Sequence, residues 1–112
     1  MLHYMTAKSQ HHSRKKDKMS DDYKEVMSIL QEECAEVIQA VSKINRFGID
    51  NYKPGKPKTN KEHLEEELGD LLAMICILEK MGVVGQANLE IATKAKIEKL
   101  KKWSNIKNLE NI

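Results

Sequence analysis

Apolar residues recur at three- and four-residue steps in three separate stretches of the chain, the spacing of a helix face turned toward a core. Val26, Leu30, Val37, Val41 and Ile44 set the first stripe. Asp21 and Asp22 are candidate N-caps, Glu25 stands in capping-box spacing after Asp22, and Gly48 follows Phe47 as a stop, so the pattern predicts a helix over about 21–47. Leu64, Leu68, Leu71, Leu72, Ile75 and Leu78 set the second stripe; Thr59 and Glu62 form a capping box before it, and a helix is predicted over about 60–81. Gly82 and Gly85 bracket a turn, after which Leu89, Ala92, Ile97, Leu100 and Trp103 predict a third helix over about 86–103. Residues 49–60 hold both prolines and cannot continue a helix; they form a loop of about a dozen residues, long enough to suggest a functional role.

Composition narrows the fold class. Five glycines, two prolines and 4% aromatic residues argue against a sandwich or barrel, which needs many turns and many β-branched or aromatic strand positions. The expected fold is all-α, an antiparallel helical bundle of three main helices. At 112 residues the chain is long enough for one domain, and three helices with one Trp and one Phe supply a thin core, so the bundle is expected to be completed by dimerisation. Residues 1–19 read as a basic N-terminal arm, with Lys8, Arg14, Lys15, Lys16 and Lys18 against Asp17 alone; 20–104 read as the helical domain and 105–112 as a C-terminal tail. His11 and His12 have no metal-site spacing. The longest apolar run, Leu71 to Leu78, is far shorter than the roughly 20 residues that span a bilayer, and no secretory signal pattern is present. Cys34 and Cys76 lie in apolar helical patterns and are expected to be reduced core residues, which points to a cytoplasmic protein.

A formal charge of +2 says little; the position of each charge says more. Glu33 and Glu36 lie three residues apart on the first helix, and Glu67 and Asp70 three apart on the second, so each pair projects from one face. With twelve glutamates in the chain, one such pair on a solvated face would be unremarkable. These four acids, however, have no Lys or Arg three or four residues away. Glu33 also falls within the stripe of Leu30, Val37 and Ile44, Glu36 lies at its edge, and Glu67 borders the stripe of the second helix. A carboxylate aimed at a core is costly unless it is paired, protonated or bound to a cation. Two helices joined by one loop bring such pairs together, and four converging carboxylates suit a hard cation, Mg²⁺ or Mn²⁺. A di-iron site would need Glu-x-x-His, which occurs nowhere in the chain; His63, one turn before Glu67, is within reach of the site edge, although the solvent-facing role is the one expected.

The strings EECAEVIQA around Glu33 and Glu36, and EEELGDLLAMI around Glu67 and Asp70, resemble the signature of the MazG-like all-α nucleoside triphosphate pyrophosphohydrolases, with a lysine-bearing later helix, Ala95 to Leu100, in support. The resemblance covers about residues 22–103. It implies cleavage of (deoxy)nucleoside triphosphates between the α and β phosphates, giving the monophosphate and pyrophosphate. It further implies that Glu33, Glu36, Glu67 and Asp70 hold Mg²⁺, with Mn²⁺ as a substitute. One of Glu33 and Glu36 would accept the proton of the attacking water, and the two roles are not separable by sequence. Lys96 and Lys99 match the family's basic positions and are candidates for phosphate contact. Lys53, Lys56 and Lys58, in the loop outside the family pattern, either close over the nucleotide or keep the loop solvated. Asn45, Tyr52 and Met74 are candidates for a base pocket, which the family builds between helices and subunits.

The expected partners are therefore a nucleoside triphosphate and further copies of the chain, as a homodimer or a dimer of dimers, with neither membrane nor nucleic acid. The alternative is a non-catalytic helical protein, either regulatory or binding nucleic acid through its basic arm. That alternative leaves the unpaired carboxylates without a purpose.

Overall fold

A computed structural model describes the backbone of residues 14–112 and side chains from residue 22 onward. Among these residues the chain is all-helical with no strand: α1 (Arg14–Phe47), α2 (Asn60–Lys80), α3 (Gln86–Trp103) and a short 3-10 helix (Leu109–Asn111). The readings of His11, His12 and most of the basic arm fall outside the described residues. The chain forms two compact units, one ending at Leu78 and the other spanning Glu79–Ile112.

In the first unit, α1 starts seven residues earlier than the capping signals suggest, so Asp21 and Asp22 lie inside the helix. Arg14 to Met19 is made almost wholly of good helix formers, which extend a helix without an apolar stripe of their own. Gly48 ends α1 as expected: at φ +95° it occupies the left-handed region that favours glycine, and its N–H donates to the Ile44 carbonyl at 2.8 Å. At the start of α2 the capping box is formed in both directions. The Thr59 N–H donates to Glu62 Oε1 at 3.0 Å, and the Glu62 N–H donates to Thr59 Oγ1 at 3.1 Å.

The intervening loop is closed at its base. Asn60 and Lys61 N–H groups donate to the Asn51 and Ile49 carbonyls at 2.8 and 2.9 Å, and Asn60 Nδ2 donates to the Gly48 carbonyl at 2.8 Å. The resulting hairpin sets the inward stripes. On α1 these are Val26, Ile29, Leu30, Glu33, Val37, Ala40 and Ile44; on α2 they are His63, Leu64, Glu67, Leu71, Met74, Ile75 and Leu78, all buried or half-buried. Each stripe therefore gives one core position to a carboxylate.

Several expected core residues face outward. Val41, Leu68 and Leu72 are exposed, Leu72 by 64%, and so is Ile38. Cys34 and Cys76 are free thiols but exposed, which corrects their expected place in the core. The reason is that both helices carry apolar residues on two faces: Met27, Cys34, Ile38 and Val41 form a second stripe on α1, and Leu68, Leu72 and Cys76 one on α2. A count of apolar residues cannot say which stripe turns inward.

In the second unit, α3 matches its predicted bounds. Leu89, Ile97 and Leu100 are half-buried, whereas Ala92 and Trp103 are exposed. Residues after Ser104 are more than a loose tail. Ser104 Oγ donates to the Leu100 carbonyl at 2.7 Å, and the 3-10 helix contacts α3 with Leu109 buried.

Candidate functional site

Glu33 of α1 and Glu67 and Asp70 of α2 converge: one carboxylate oxygen from each lies within 4.8 Å of the others. Helical spacing explains the set. Glu33 follows Leu30 by three residues and Glu67 follows Leu64 by three, so each carboxylate lies on the buried or half-buried stripe of its helix. Glu67 is buried, Glu33 half-buried and Asp70 exposed, giving a site with a closed floor and an open mouth.

Electrostatics agrees with this placement. Burial pushes the Glu67 carboxyl up from its ordinary value, repulsion from Glu36, Asp70 and Glu33 adds to the shift, and His63 opposes it. Burial also pushes Glu33 up, followed by repulsion from Asp70, Glu36 and Glu32. The ion pairs among the described residues are Lys58–Glu66 and Lys101–Glu98, so neither reaches the cluster. Three oxygen donors with no ion-pair partner among the described residues fit a hard divalent cation.

Glu36 stands outside the group of three but acts on Glu67 strongly enough to be the largest repulsive contribution there. It is an exposed carboxylate. His63, expected in solvent, is instead half-buried on the inward stripe one turn before Glu67. The signal was present in the sequence, since 63, 67, 71, 74 and 78 follow one helical face.

The last turns of α1, the loop and the first turns of α2 line an open cavity of about 710 Å³, which reaches His63 and Glu66, the latter the residue before Glu67. Its lining includes Lys43, Phe47, Tyr52, Lys53, Lys56, Lys58, His63 and Glu66. Tyr52, Lys53, Lys56 and Lys58 were candidates by sequence; Lys43 and Phe47 were not, although they lie one turn apart at the end of α1. Asn45 is exposed and outside the lining, and Met74 is buried in the hairpin core. Lys96 and Lys99 are exposed on α3 in the second unit. No described helix is long and apolar enough to cross a membrane.

Compared with known proteins, residues 21–105 match the family described as the MazG nucleotide pyrophosphohydrolase domain, a span that includes α2, α3 and most of α1. No curated protein and no solved structure matches the chain.

Proposed function

We propose that this chain, which belongs to the MazG nucleotide pyrophosphohydrolase family, is a Mg²⁺-dependent hydrolase that cleaves (deoxy)nucleoside triphosphates between the α and β phosphates, releasing the nucleoside monophosphate and pyrophosphate. The observation that carries this reading is the convergence of Glu33, Glu67 and Asp70 across the α1–α2 seam. Bound there, Mg²⁺ or a substituting Mn²⁺ would neutralise phosphate charge, orient the chain of phosphates and lower the pKa of water.

The protein's own groups take distinct parts. Glu67 and Glu33, held in the seam, and Asp70, at its mouth, are the ligands. Glu36 is exposed and outside the ligand cluster, which suits the carboxylate that accepts a proton from the attacking water, with Glu33 the other candidate. Lys53 and Lys56 line the cavity between the end of α1 and the start of α2 and would meet phosphate oxygens there. Lys96 and Lys99 on α3 are the family's candidates for the same task. Of the base-pocket candidates, Tyr52 lines the same cavity as Lys53 and Lys56 and belongs to its apolar wall, while Asn45 and Met74 lie outside it.

The enzyme works as a homodimer or dimer of dimers in the cytoplasm. In support, the second apolar stripes are open to solvent, with Ile38 70% and Leu72 64% exposed, on a chain whose buried apolar residues are only Ala40, Met74, Leu78 and Leu109 among those described. Free thiols at Cys34 and Cys76 suit a reducing compartment.

The experiment is product analysis over canonical and modified nucleotides, with Mg²⁺ and in chelator. Monophosphate and pyrophosphate in equal amounts are expected, with turnover lost in Asp70→Asn and Glu36→Gln while helicity is kept. Release of orthophosphate, or unchanged turnover in both variants, refutes the reading. Turnover absent for every nucleotide, together with salt-dependent binding of DNA or RNA, would favour the nucleic-acid alternative.

A further inference from the structure

Lys53 to Lys56 form a tight turn at the tip of the loop. The Lys56 N–H donates to the Lys53 carbonyl at 2.9 Å, Pro54 holds the second position, and Gly55 at φ +82° takes the third, as a type II turn requires. Because the turn's ends lie close together, the two lysines leave the backbone as neighbours. Lys43 enters the same cavity from α1 and has no acid three or four residues away.

The fourth lysine of the cavity is accounted for differently. Lys58 pairs with Glu66, the one acidic residue of the lining, and each group holds the other in its charged form. That pair ties the far end of the loop to α2 at the residue before Glu67. It leaves Lys43, Lys53 and Lys56 with no ion-pair partner among the described residues. Phe47, Tyr52, Pro54 and Pro57 supply the apolar part of the wall around them and offer no competing anion.

We propose that this cavity seats the terminal phosphates of the substrate and, after cleavage, the pyrophosphate, with Lys43, Lys53 and Lys56 as its cations. The inference rests on the pyrophosphohydrolase reading and deepens it. His63 is the boundary between the two parts, since it lines the cavity and also acts electrostatically on Glu67. A nucleobase is neutral and would leave three ammonium groups uncompensated, whereas a pyrophosphoryl tail matches them in charge.

The test titrates tripolyphosphate, and separately a nucleoside without phosphate, into the full chain, both in chelator and with Mg²⁺. The backbone amide resonances of Gly55 and Lys56 are the reporter. Tripolyphosphate is expected to shift them and the nucleoside to leave them unmoved. Lys53→Gln/Lys56→Gln should weaken tripolyphosphate binding about tenfold, the scale of two partly exposed charge contacts, and Lys53→Arg/Lys56→Arg should largely restore it. No shift with tripolyphosphate under either condition, a shift with nucleoside alone, or equal affinity in the Gln variant overturns the proposal. Turnover separates the two readings. Normal pyrophosphate release with an unchanged KM in the Gln variant refutes the phosphate seat and leaves the hydrolase standing. A wild-type chain that releases no pyrophosphate refutes the hydrolase, while the tripolyphosphate titration still decides the cavity.

Discussion

Replacing Glu67 with Gln separates a metal-binding carboxylate from an ordinary core residue, because the two roles predict opposite signs. Glu67 is buried in the seam, with oxygens of Glu33 and Asp70 within 4.8 Å, and no ion pair among the described residues reaches it. Taking the Glu67–Asp70 pair alone, two unit charges at that distance repel by about 0.9 kcal/mol in water and by about 3.5 kcal/mol at an effective dielectric of 20. Asp70 is exposed, so the lower figure applies. Repulsion from Glu33 and Glu36 acts in the same direction. Glu67→Gln keeps the shape of the side chain and removes the charge, so the metal-free protein should gain about 1 kcal/mol, or roughly 4 °C in Tm for a chain of this size.

With Mg²⁺ the sign reverses. A ligand present at a hundred times its Kd stabilises the folded state by about 2.7 kcal/mol, which raises Tm by roughly 10 °C. Wild type should show that rise and Glu67→Gln should lose most of it. The assay is thermal unfolding followed by helical circular dichroism at one fixed protein concentration, in chelator and across a Mg²⁺ series. A variant that melts below wild type in chelator, or that gains as much from Mg²⁺ as wild type does, would falsify the metal-site assignment of Glu67.

The pH dependence of the metal-free protein should have two limbs. Glu33 and Glu67 titrate above the usual carboxylate value of 4.5, so the stability of their protonated forms is present below 4.5 and is lost as pH rises through their raised folded values. Glu62 and Glu66 titrate below 4.5, held down by Thr59 and Lys58, so their contribution is present above 4.5 and lost as pH falls through their lowered folded values. Tm in chelator should therefore rise as pH is lowered from 7 toward 4.5 and fall at lower pH; saturating Mg²⁺ should reverse the first limb, and a first limb indifferent to Mg²⁺ counts against the site. Thr59→Ala removes the side-chain acceptor of the capping box and should cost about 1 kcal/mol, or roughly 4 °C in Tm, with Thr59→Ser close to wild type. Ile38→Glu with Leu72→Glu places charge on both outer stripes and should halve the mass seen by analytical ultracentrifugation; an unchanged mass would move the subunit interface elsewhere.

How far the sequence revealed this arrangement differs from element to element. The bounds of α2 and α3 were legible because each is fixed by local chemistry: the Thr59–Glu62 box, the glycines at 82 and 85, and the apolar run that stops near Trp103. The start of α1 was not, because Arg14 to Met19 has helix propensity without periodicity, and the acids at 21 and 22 imitate a cap. Within the site, Glu33 and Glu67 were legible because a charge on an apolar stripe is anomalous under any packing. Lys43 and Phe47 were not, since both are ordinary at the end of a helix. Only the closing of the loop at Asn51 and Asn60 makes them walls of a cavity. Periodicity also gave the right residues but the wrong faces for Val41, Leu68 and Leu72, because α1 and α2 each carry two apolar stripes and single-chain spacing does not rank them.

Those two stripes and the two inward acids, Glu67 buried and Glu33 half-buried, have a common physical basis. A helical hairpin of this length has about seven inward positions on each helix, and here one of the seven on each is a glutamate. At each such position the chain forgoes the roughly 2 kcal/mol that a buried Leu would contribute and accepts like-charge repulsion as well. Inward packing therefore leaves the hairpin underpaid in apolar burial. The outer stripes would offer compensating burial against another copy, and a divalent cation in the seam would remove the repulsion. On this account metal and subunit contact stabilise the same element, α1 against α2, and their effects are coupled. Mg²⁺ should tighten subunit association, and the weakly associating Ile38→Glu/Leu72→Glu variant should bind Mg²⁺ less well than wild type. Because linkage is reciprocal, the factor by which Mg²⁺ tightens the subunit equilibrium must equal the factor by which association tightens Mg²⁺. Sedimentation across a Mg²⁺ series, paired with Mg²⁺ titrations at two protein concentrations, measures both factors. Subunit association indifferent to Mg²⁺ would show that the site and the outer stripes are energetically independent.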